Sequence, residues 1–446
     1  MAPNDNTAIR FIHGLCFEDL PQTVVRHARR CVLDLCGVAA GGTTTDLSHI
    51  IRNHAAAHFG AGERAARMLF DGRRVSLPGA ALAGGMSIDS LDAHDGHVLT
   101  KGHVGVTVLP VLLALADAGC VADDREFLTA LVVGYEIATR AGIALHASSC
   151  DYHTSGAWNA LAAAALGARA LRLGPAQTRE ALGIAEYHGP RSQMMRCIDH
   201  PTMVKDGSGW GAMAGIDAAL LAQAGFTGAP ALTMEDPALA AVWSDLGQRW
   251  MILEQYFKAY PVCRWAQPAV EAAMSLVRIH GLRSDDIRTV KVTSFHQACR
   301  LATRKPQTTE QAQYSLPFSV SILLSRGSLG TAEVGGCALT DAEALRLSSG
   351  MELHESDLYN SRFPAERWAH VELELFNGTH LKSEPHTARG DPETALSDAE
   401  IDSKFVQLAR PVLSQARIAT IRDRVASLGQ AEGSLDALMD ALLVAV

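Results

Sequence analysis

The sequence has few of the features that nucleic-acid-binding, secreted and membrane proteins need. Its net charge is -9 and it contains no run of Lys and Arg, which excludes a phosphate-binding surface for nucleic acid. The nine cysteines are scattered and form neither a C-x-x-C pair nor a zinc-ligand spacing, a pattern typical of reduced cytosolic thiols. We find neither a basic leader followed by an apolar run nor the roughly twenty consecutive apolar residues of a membrane helix. We therefore predict a soluble cytoplasmic protein with no nucleic-acid or membrane partner.

The composition that remains is that of a globular enzyme. Of the 446 residues, 48% are apolar and 20% are charged. A chain of this length is long enough for two or three domains, each with its own apolar core. A small molecule is therefore the expected ligand.

The first half of the chain, from Phe17 to about Tyr256, shows the apolar spacing of successive helices. Residues 124–145 carry the apolar stripe of a packed helix, with acidic residues at its start. Residues 156–174 are rich in small side chains, which predicts a buried helix that lets neighbouring backbones approach closely, with Gly174 as its stop.

The pattern changes after Pro261. Residues 287–295 alternate in polarity like a half-buried strand, and the alternation on both sides of Asn377 and Gly378 predicts a hairpin. From Asp398 onward the spacing is helical again, which indicates that the C-terminus returns to the first domain.

These patterns predict a mainly α fold with a large all-helical domain and a smaller α+β lid domain. The helical domain is expected to comprise residues 1–260 with 400–446, and the lid residues 261–399. A cleft between the two is the expected ligand site.

The stretch from 91 to 110 concentrates proton-transfer groups. Asp92 and Asp95 are three residues apart, as are His94 and His97, so each pair would share a face of a helix. Glycines interrupt that helix and place the later groups, His103 among them, on a loop. We expect the next helix to begin at Thr107, with Pro110 near its start.

Three interpretations of this stretch compete. It could be a solvated polar loop, or a metal site in which His94, His97 and His103 act with an aspartate, although the spacing matches no established zinc pattern. Acid/base catalysis is favoured, because histidine titrates near neutral pH and a neighbouring carboxylate fixes its tautomer.

A second cluster lies at residues 203–222. Its glycines loosely match a dinucleotide fingerprint, but no strand precedes them, so that interpretation is rejected. Lys205 before glycines that open a helix supplies a cation and free N–H groups, which suit a carboxylate or phosphate. The alternative is a glycine-rich helix start with an exposed lysine.

Two weaker candidates remain. His153 could equally be a core histidine or a site group, and Lys258 with Arg264 lies among aromatic residues at the expected junction of the domains.

Together these segments resemble the MmgE/PrpD family over nearly the whole length of the chain. The resemblance implies an all-helical domain with an α+β lid, a homodimer, and chemistry on small polycarboxylates without a cofactor or metal. It is carried by LDAHDGH...GHVGVTVLPVLLALA, VVGYEIATRAG, YHTSGAWNALAAAALGARALRLGPAQTREALGIA, VKDGSGWGAMAGIDAALLAQAGFTGAP, KAYPVCRWAQPAVEA, QYSLPFSVSILL and RGDPETALSDAEIDSKF.

Family site positions fall on residues already singled out. Asp92 matches the first aspartate of the family's D-x-D-D-T segment and His103 the histidine before the V-L-P helix. His153 follows the G-Y-E helix, Lys205 precedes the glycines, and Lys258 is the lysine of K-x-Y-P. The resemblance implies that these five residues form the active site.

The chain also departs from the family pattern. It carries His94 and His97 within the first motif, and Val104 after His103 where the family usually has proline. Cys263 stands where the decarboxylases tend to have histidine, and Phe318 where an aromatic hydroxyl is common. These departures favour a different reaction on a related substrate.

Proton removal beside a carboxylate makes an enediolate-like dianion, so cations must lie on the carboxylate before a base can act. Lys205, Lys258 and the helix start after Gly207 would supply positive charge. His97 and His103, oriented by Asp92 or Asp95, would transfer protons. We assign catalysis to Asp92, His97, His103 and Lys205, and substrate binding to Asp95, His153, Lys258 and Gly207.

The extra histidine favours proton transfer on two faces of one carbon. We therefore predict a cofactor-independent epimerase that inverts the α-carbon of an amino-dicarboxylate such as iminodisuccinate. The alternative is a hydro-lyase or decarboxylase acting on a citrate-like tricarboxylate, of the 2-methylcitrate dehydratase or cis-aconitate decarboxylase type. A non-catalytic carboxylate-binding dimer and a metallohydrolase are the remaining hypotheses.

Overall fold

The computed structural model describes residues 7–430 and 434–446, and most of them are helical. The helices are α1 (Thr7–Gly14), α2 (Gln22–Gly42), α3 (Asp46–His58), α4 (Leu77–Asp89), α5 (Gly105–Asp117), α6 (Asp124–Ser148), α7 (Gly156–Ala170), α8 (Pro175–His188), α9 (Met194–Asp199), α10 (Ser208–Gln223), α11 (Leu232–Glu235), α12 (Ala240–Trp243), α13 (Gln267–His280), α14 (His296–Cys299), α15 (Thr309–Gln313), α16 (Leu316–Arg326), α17 (Ala342–Gly350), α18 (Asp357–Arg362), α19 (Asp398–Ala409), α20 (Gln415–Ser427) and α21 (Ser434–Leu442).

The strands form two small ladders and one mixed sheet. They are β1 (Ala65–Arg67), β2 (Arg74–Ser76), β3 (Gly96–His97), β4 (Gln255–Tyr256), β5 (Ile287–Ser294), β6 (Glu352–Glu355), β7 (His370–Leu375) and β8 (His380–Lys382). β1 pairs with β2 and β3 with β4, while the four-stranded sheet has the order β6-β5-β7-β8. In that sheet β5 and β6 are parallel and the other pairs antiparallel. The predicted fold class, mainly α with a smaller α+β part, is confirmed.

Periodic segments were predicted well, but two helix ends were not. The helix at 124–145, the strand at 287–295 and the hairpin around Gly378 are all present. α7 ends at Ala170, and Gly174 is instead the residue before α8. α5 begins two residues before Thr107, so Pro110 lies inside the helix and not at its start.

Close packing of α7 against α10 explains the small residues of both helices. A Cβ on Gly215 would lie 2.1 Å from the carbonyl oxygen of Ala160, and one on Gly211 would lie 2.4 Å from that of Gly156. Any side chain at these glycines would force the helices apart. This contact fixes the start of α10, and therefore the turn that carries Lys205.

α6 is the one helix in the described ranges that is long and apolar enough to cross a membrane. However, 94% of its apolar window is buried inside the protein. It has the surroundings of a core helix in a globular protein.

The apolar interior consists of a larger cluster, a smaller one and a minor satellite. The larger cluster joins the N-terminal helices to side chains of α19, α20 and α21. The smaller one contains residues between Val262 and Leu375 together with part of α9. α19 packs closely on α2, since a Cβ on Gly37 would lie 2.9 Å from the Cα of Phe405. The domain bounds given above stay a prediction, because shared packing does not show independent folding.

We expect Phe405→Ala to lower the free energy of unfolding by about 3–5 kcal/mol, because it leaves a cavity between α19 and α2. Phe405 is fully buried, whereas Gln407 on the same helix is exposed. Gln407→Ala should therefore change stability by less than about 0.5 kcal/mol. Urea denaturation of both variants checks this, and equal effects would contradict the packing.

Candidate active site

Four segments bring polar side chains together between the two larger apolar clusters. The turn after α4 carries Asp92 and His94, and the loop before α5 carries His103. Lys205 lies in the turn before α10, and Lys258 follows β4. β3 lies in the connection between α4 and α5. Its pairing with β4 holds this connection against the segment that ends in Lys258.

The backbone is unusual at two of these positions. Asp92 has φ of 56° and Lys205 has φ of 48°, in the left-handed region that residues other than glycine seldom adopt. Such conformations persist where surrounding contacts over-determine them, and they cluster at functional sites. Gly207 also has a positive φ, 67°, directly before α10, as the glycine-rich turn predicted.

Lys258 is completely buried and holds Asp92 in place. Its Nζ donates to Oδ1 of Asp92 at 2.8 Å and to the backbone oxygen of Asp92 at 2.9 Å. Burial opposes ionisation of Asp92, but the charges of Lys258 and Lys205 outweigh it and lower the pKa of this carboxyl. Asp92 is therefore ionised at neutral pH.

Lys205 is buried as well, but its hydrogen bond is to a neutral group. Its Nζ donates to Oε1 of Gln313 at 2.6 Å and lies 4.7 Å from the ring centre of Tyr314. Gln313 in turn donates to the backbone oxygen of Ser90 at 3.0 Å, which ties α15 to the end of α4. Lys205 and Gly207 line a cavity of about 540 Å³. The lining of this cavity does not include Asp92, His103 or Lys258.

His103 is half-buried and oriented by backbone contacts. Its Nδ1 lies 2.6 Å from the backbone oxygen of Asp95, and because a carbonyl can only accept, Nδ1 carries the proton. Nε2 is left as the basic nitrogen. Burial, followed by the charge of Lys258, lowers the pKa of His103 to about 3. The imidazole is therefore neutral at physiological pH.

His94 packs against His103, and its ring makes no hydrogen bond within the described residues. The two ring centres are 4.4 Å apart. Burial, with the neighbouring cationic groups, lowers the pKa of His94 well below its usual value. Nε2 of His94 lies 3.8 Å from Oδ1 of Asp89. Burial raises the pKa of Asp89 to about 6, although the charge of Lys205 acts in the opposite direction.

Several residues assigned from the sequence lie outside this cluster. His97 belongs to β3, and its Nε2 lies 3.5 Å from Oε2 of Glu254. The carboxylate of Asp95 accepts from the Gly105 N–H at 3.1 Å and from the Tyr135 hydroxyl. Asp95 thus orients His103 through its backbone oxygen and not, as predicted, through its carboxylate. The short strand β3 pairs His97 with Gln255 of β4, which spacing on a helix could not anticipate.

His153 lies near the cavity beside Lys205 but not among its lining residues. It forms an isolated β-bridge with Gln193, and its backbone N–H donates to Nε2 of His146 at 3.3 Å. The next residue, Thr154, does line the cavity. A substrate-binding role for His153 stays a prediction.

Other polar residues of the site were not assigned from the sequence. Asp206 accepts from the Ser155 N–H at 3.1 Å and from the Ser155 hydroxyl, and burial raises its pKa to about 8. Asp206 and Gln313 both lie in segments that carry the family resemblance, so the sequence could have indicated them as site residues. No sequence feature indicated Asp89, because it lies within an apolar helix.

We expect Asp95→Asn to flatten the dependence of stability on pH. Burial raises the pKa of Asp95 to about 7, so the folded state retains a proton that the unfolded chain loses near pH 4. The stability this proton gives is complete below about pH 4 and is lost as pH rises through about 7.

Thermal unfolding midpoints of the wild type should therefore fall over this range, and those of Asp95→Asn should fall less. Other buried acids, such as Glu136 with a pKa that burial raises to about 7, titrate in both proteins. Parallel curves for the two proteins would show that Asp95 is ionised in the folded state.

Comparison with known proteins identifies the family of the chain. The human protein named cis-aconitate decarboxylase is 24% identical over 429 residues, which cover 90% of this chain and 87% of that protein. The cis-aconitate decarboxylase-like protein oryM of Aspergillus oryzae is 24% identical over 473 residues, with 92% and 91% covered. The model of the MmgE/PrpD N-terminal domain matches residues 7–248, and that of the C-terminal domain matches residues 260–429. The chain therefore belongs to the MmgE/PrpD family.

Proposed function

We propose that the protein is a lyase that removes a carboxyl group, as CO2, from a citrate-like unsaturated tricarboxylate such as cis-aconitate. A hydro-lyase reaction on the same class of substrate is the second form of this proposal. The observation that carries it is the buried Lys205: its ammonium group bonds a neutral amide at 2.6 Å, and the residue is one of those that line a cavity of about 540 Å³.

Charge in the site supports an anionic substrate. Lys205 and Lys258 are both buried. Asp92 pairs directly with Lys258. Burial raises the pKa of Asp206 to about 8, so this group is neutral at pH 7 and offsets neither lysine. Asp89, whose pKa burial raises to about 6, is ionised at pH 7 and opposes part of the charge of Lys205. A substrate carboxylate would bond the Lys205 ammonium group directly, in a setting where water screens little.

The basic nitrogen of His103 supports proton transfer at carbon. In decarboxylation the bond to the departing carboxylate breaks, its electron pair stays on the substrate, and a carbon atom takes up a proton. A bound trianion raises the pKa of His103, because it favours the imidazolium form. His103 would then deliver the proton while Lys205 and Lys258 stabilise the developing negative charge.

Epimerisation receives less support from the geometry. It needs a second proton-transfer group on the opposite face of the carbon, and the sequence offered His97 for this role. His97 is paired with Glu254 at 3.5 Å, and the two relatives that match most of the chain carry decarboxylase names. Epimerisation of iminodisuccinate is therefore the alternative result that the NMR experiment can detect.

Proton NMR in deuterium oxide separates these reactions when the purified chain is given cis-aconitate, 2-methylcitrate or iminodisuccinate. We expect loss of CO2 from cis-aconitate with one deuterium on the product carbon. Alkene signals from 2-methylcitrate would indicate the hydro-lyase form. Deuterium exchange and stereoisomer interconversion of iminodisuccinate alone would establish the epimerase, and silence with all three would leave a carboxylate-binding protein.

We expect Lys205→Met to lower kcat/KM for the tricarboxylate by at least about 100-fold, because the substrate loses a preorganised buried cation. Lys305→Met is the matched control, since Lys305 is exposed. Its kcat/KM should be unchanged. Full activity in Lys205→Met would contradict the proposed role of the ammonium group.

We also propose that the protein is a cytoplasmic homodimer. Exposed apolar side chains flank the cavity that Lys205 lines: Val204 is 63% exposed and Trp210 is 42% exposed. A second copy would cover such a patch. Light scattering after gel filtration should give twice the mass of the chain, and a monomer would contradict the proposal.

A further inference from the structure

An arginine on the segment before β7 is buried without a counter-ion. Arg367 is 4% exposed, and its guanidinium group pairs with no carboxylate of the described residues. Its Nη2 donates to the backbone oxygen of Val98 at 3.2 Å, and its Nε has no hydrogen-bond partner there. A buried charge without a partner costs free energy, and folded proteins tolerate such exceptions mainly at functional sites. Arg367 was not assigned from the sequence.

Arg367 lines a cavity where the loop before α5 meets the segments on both sides of β7 and β8. The cavity has a volume of about 670 Å³, and its lining includes His97 and Val98 from the loop, and Trp368 and Thr387 from the other side. This space is large enough for a small polycarboxylate. Through its hydrogen bond to Val98, Arg367 reaches across the junction to the loop that also carries His103.

The carboxylates that line this cavity do not neutralise Arg367. Three of them already have basic partners: Glu254 pairs with Arg249 at 2.7 Å, Glu366 with Arg362 at 3.2 Å and Asp391 with Arg264 at 2.6 Å. The fourth, Glu393, is exposed to solvent. The positive charge of Arg367 is therefore left for a ligand.

Tyr256 of β4 lies beside both Arg367 and His103. The guanidinium carbon of Arg367 is 5.8 Å from the centre of the Tyr256 ring. The same ring is nearly perpendicular to the imidazole of His103, with 6.2 Å between the ring centres. Tyr256 is 2% exposed, so its ring is fixed by packing. Arg367 and the proposed proton donor are therefore neighbours of one rigid aromatic side chain.

Arg367 and Lys258 act on the same groups of the site. Burial and the charge of Lys258 lower the pKa of His103 to about 3, and the charge of Arg367 acts in the same direction. Burial, with the charge of Asp92, raises the pKa of Cys263 to about 12, against the charges of Lys258 and Arg367. Electrostatic effects weaken with distance, so Arg367 belongs to the charged surroundings of His103.

We propose that Arg367 binds one carboxylate of the substrate, in addition to the carboxylate on Lys205. A guanidinium group has five N–H donors in a planar fork that matches a carboxylate, and the hydrogen bond to Val98 uses only Nη2. A third carboxylate is what distinguishes a tricarboxylate from a dicarboxylate, so Arg367 selects between these two classes. The identity of the ligand rests on the proposed lyase function.

Calorimetric titration of the full chain with tricarballylate measures this binding without turnover, because the compound has no double bond. Glutarate lacks its central carboxylate, and methylsuccinate lacks one terminal carboxylate. We expect Arg367→Met to weaken binding of tricarballylate and of one dicarboxylate at least about 10-fold. Affinity for the other dicarboxylate, which lacks the group that Arg367 binds, should be unchanged.

Two further variants serve as controls. Arg367→Lys should bind tricarballylate with intermediate affinity, because lysine keeps the charge but not the planar pair of donors. Arg362→Met, at an exposed arginine of the same segment, should bind all three compounds as the wild type does.

Thermal unfolding of each variant shows whether it is folded, and Arg367→Gln, whose amide can still donate to Val98, replaces Arg367→Met if the latter is not. Unchanged affinity for tricarballylate in the folded variant would overturn the inference but not the lyase. Equal weakening for all three compounds would also overturn it, because no particular carboxylate would then contact Arg367. The expected pattern in a protein that does not decarboxylate cis-aconitate would support the inference and count against the lyase.

Discussion

One ammonium group, that of Lys258, holds both the carboxylate and the backbone oxygen of Asp92 in the interior of the protein. Removal of one partner from a buried pair of this kind costs about 3–5 kcal/mol, because the other charge is left without compensation. The pair links two segments 166 residues apart and secures the left-handed turn at Asp92. The positions of His94 and His103 follow from that turn.

Burial also assigns different charge states to two carboxyl groups of one short segment. Asp92 faces two lysines, which lower its pKa, whereas burial raises the pKa of Asp95 to about 7. Asp92 can therefore pair with a cation while Asp95 is hydrogen-bonded by Tyr135 and orients His103 with its backbone. Separation of pKa values by environment is how active sites assign different roles to one residue type.

Helices, the hairpin and the turn before α10 were predictable because each depends on local residue spacing. The small residues of α7 and the glycines of α10 likewise indicated the close contact that the structure contains. Lys205, Lys258, Asp92 and His103 were assigned by resemblance to a family, and the fold brings all four to one place.

The roles of His97 and Asp95 could not be derived from spacing. They depend on β3, a two-residue strand that exists because residues 255–256 lie beside it, far away in the sequence. The same limit applies to Gln313, which connects Lys205 to Ser90 only in the folded chain. Long-range pairing decides which of several clustered histidines meet, and no local pattern carries that information.

The most direct measurement of the central claim is a crystal structure of the protein with a bound tricarboxylate. We expect one carboxylate within hydrogen-bond distance of Lys205 Nζ, with the reacting carbon on the side of His103 Nε2. A tricarboxylate bound elsewhere, with Lys205 still bonded only to Gln313, would contradict it.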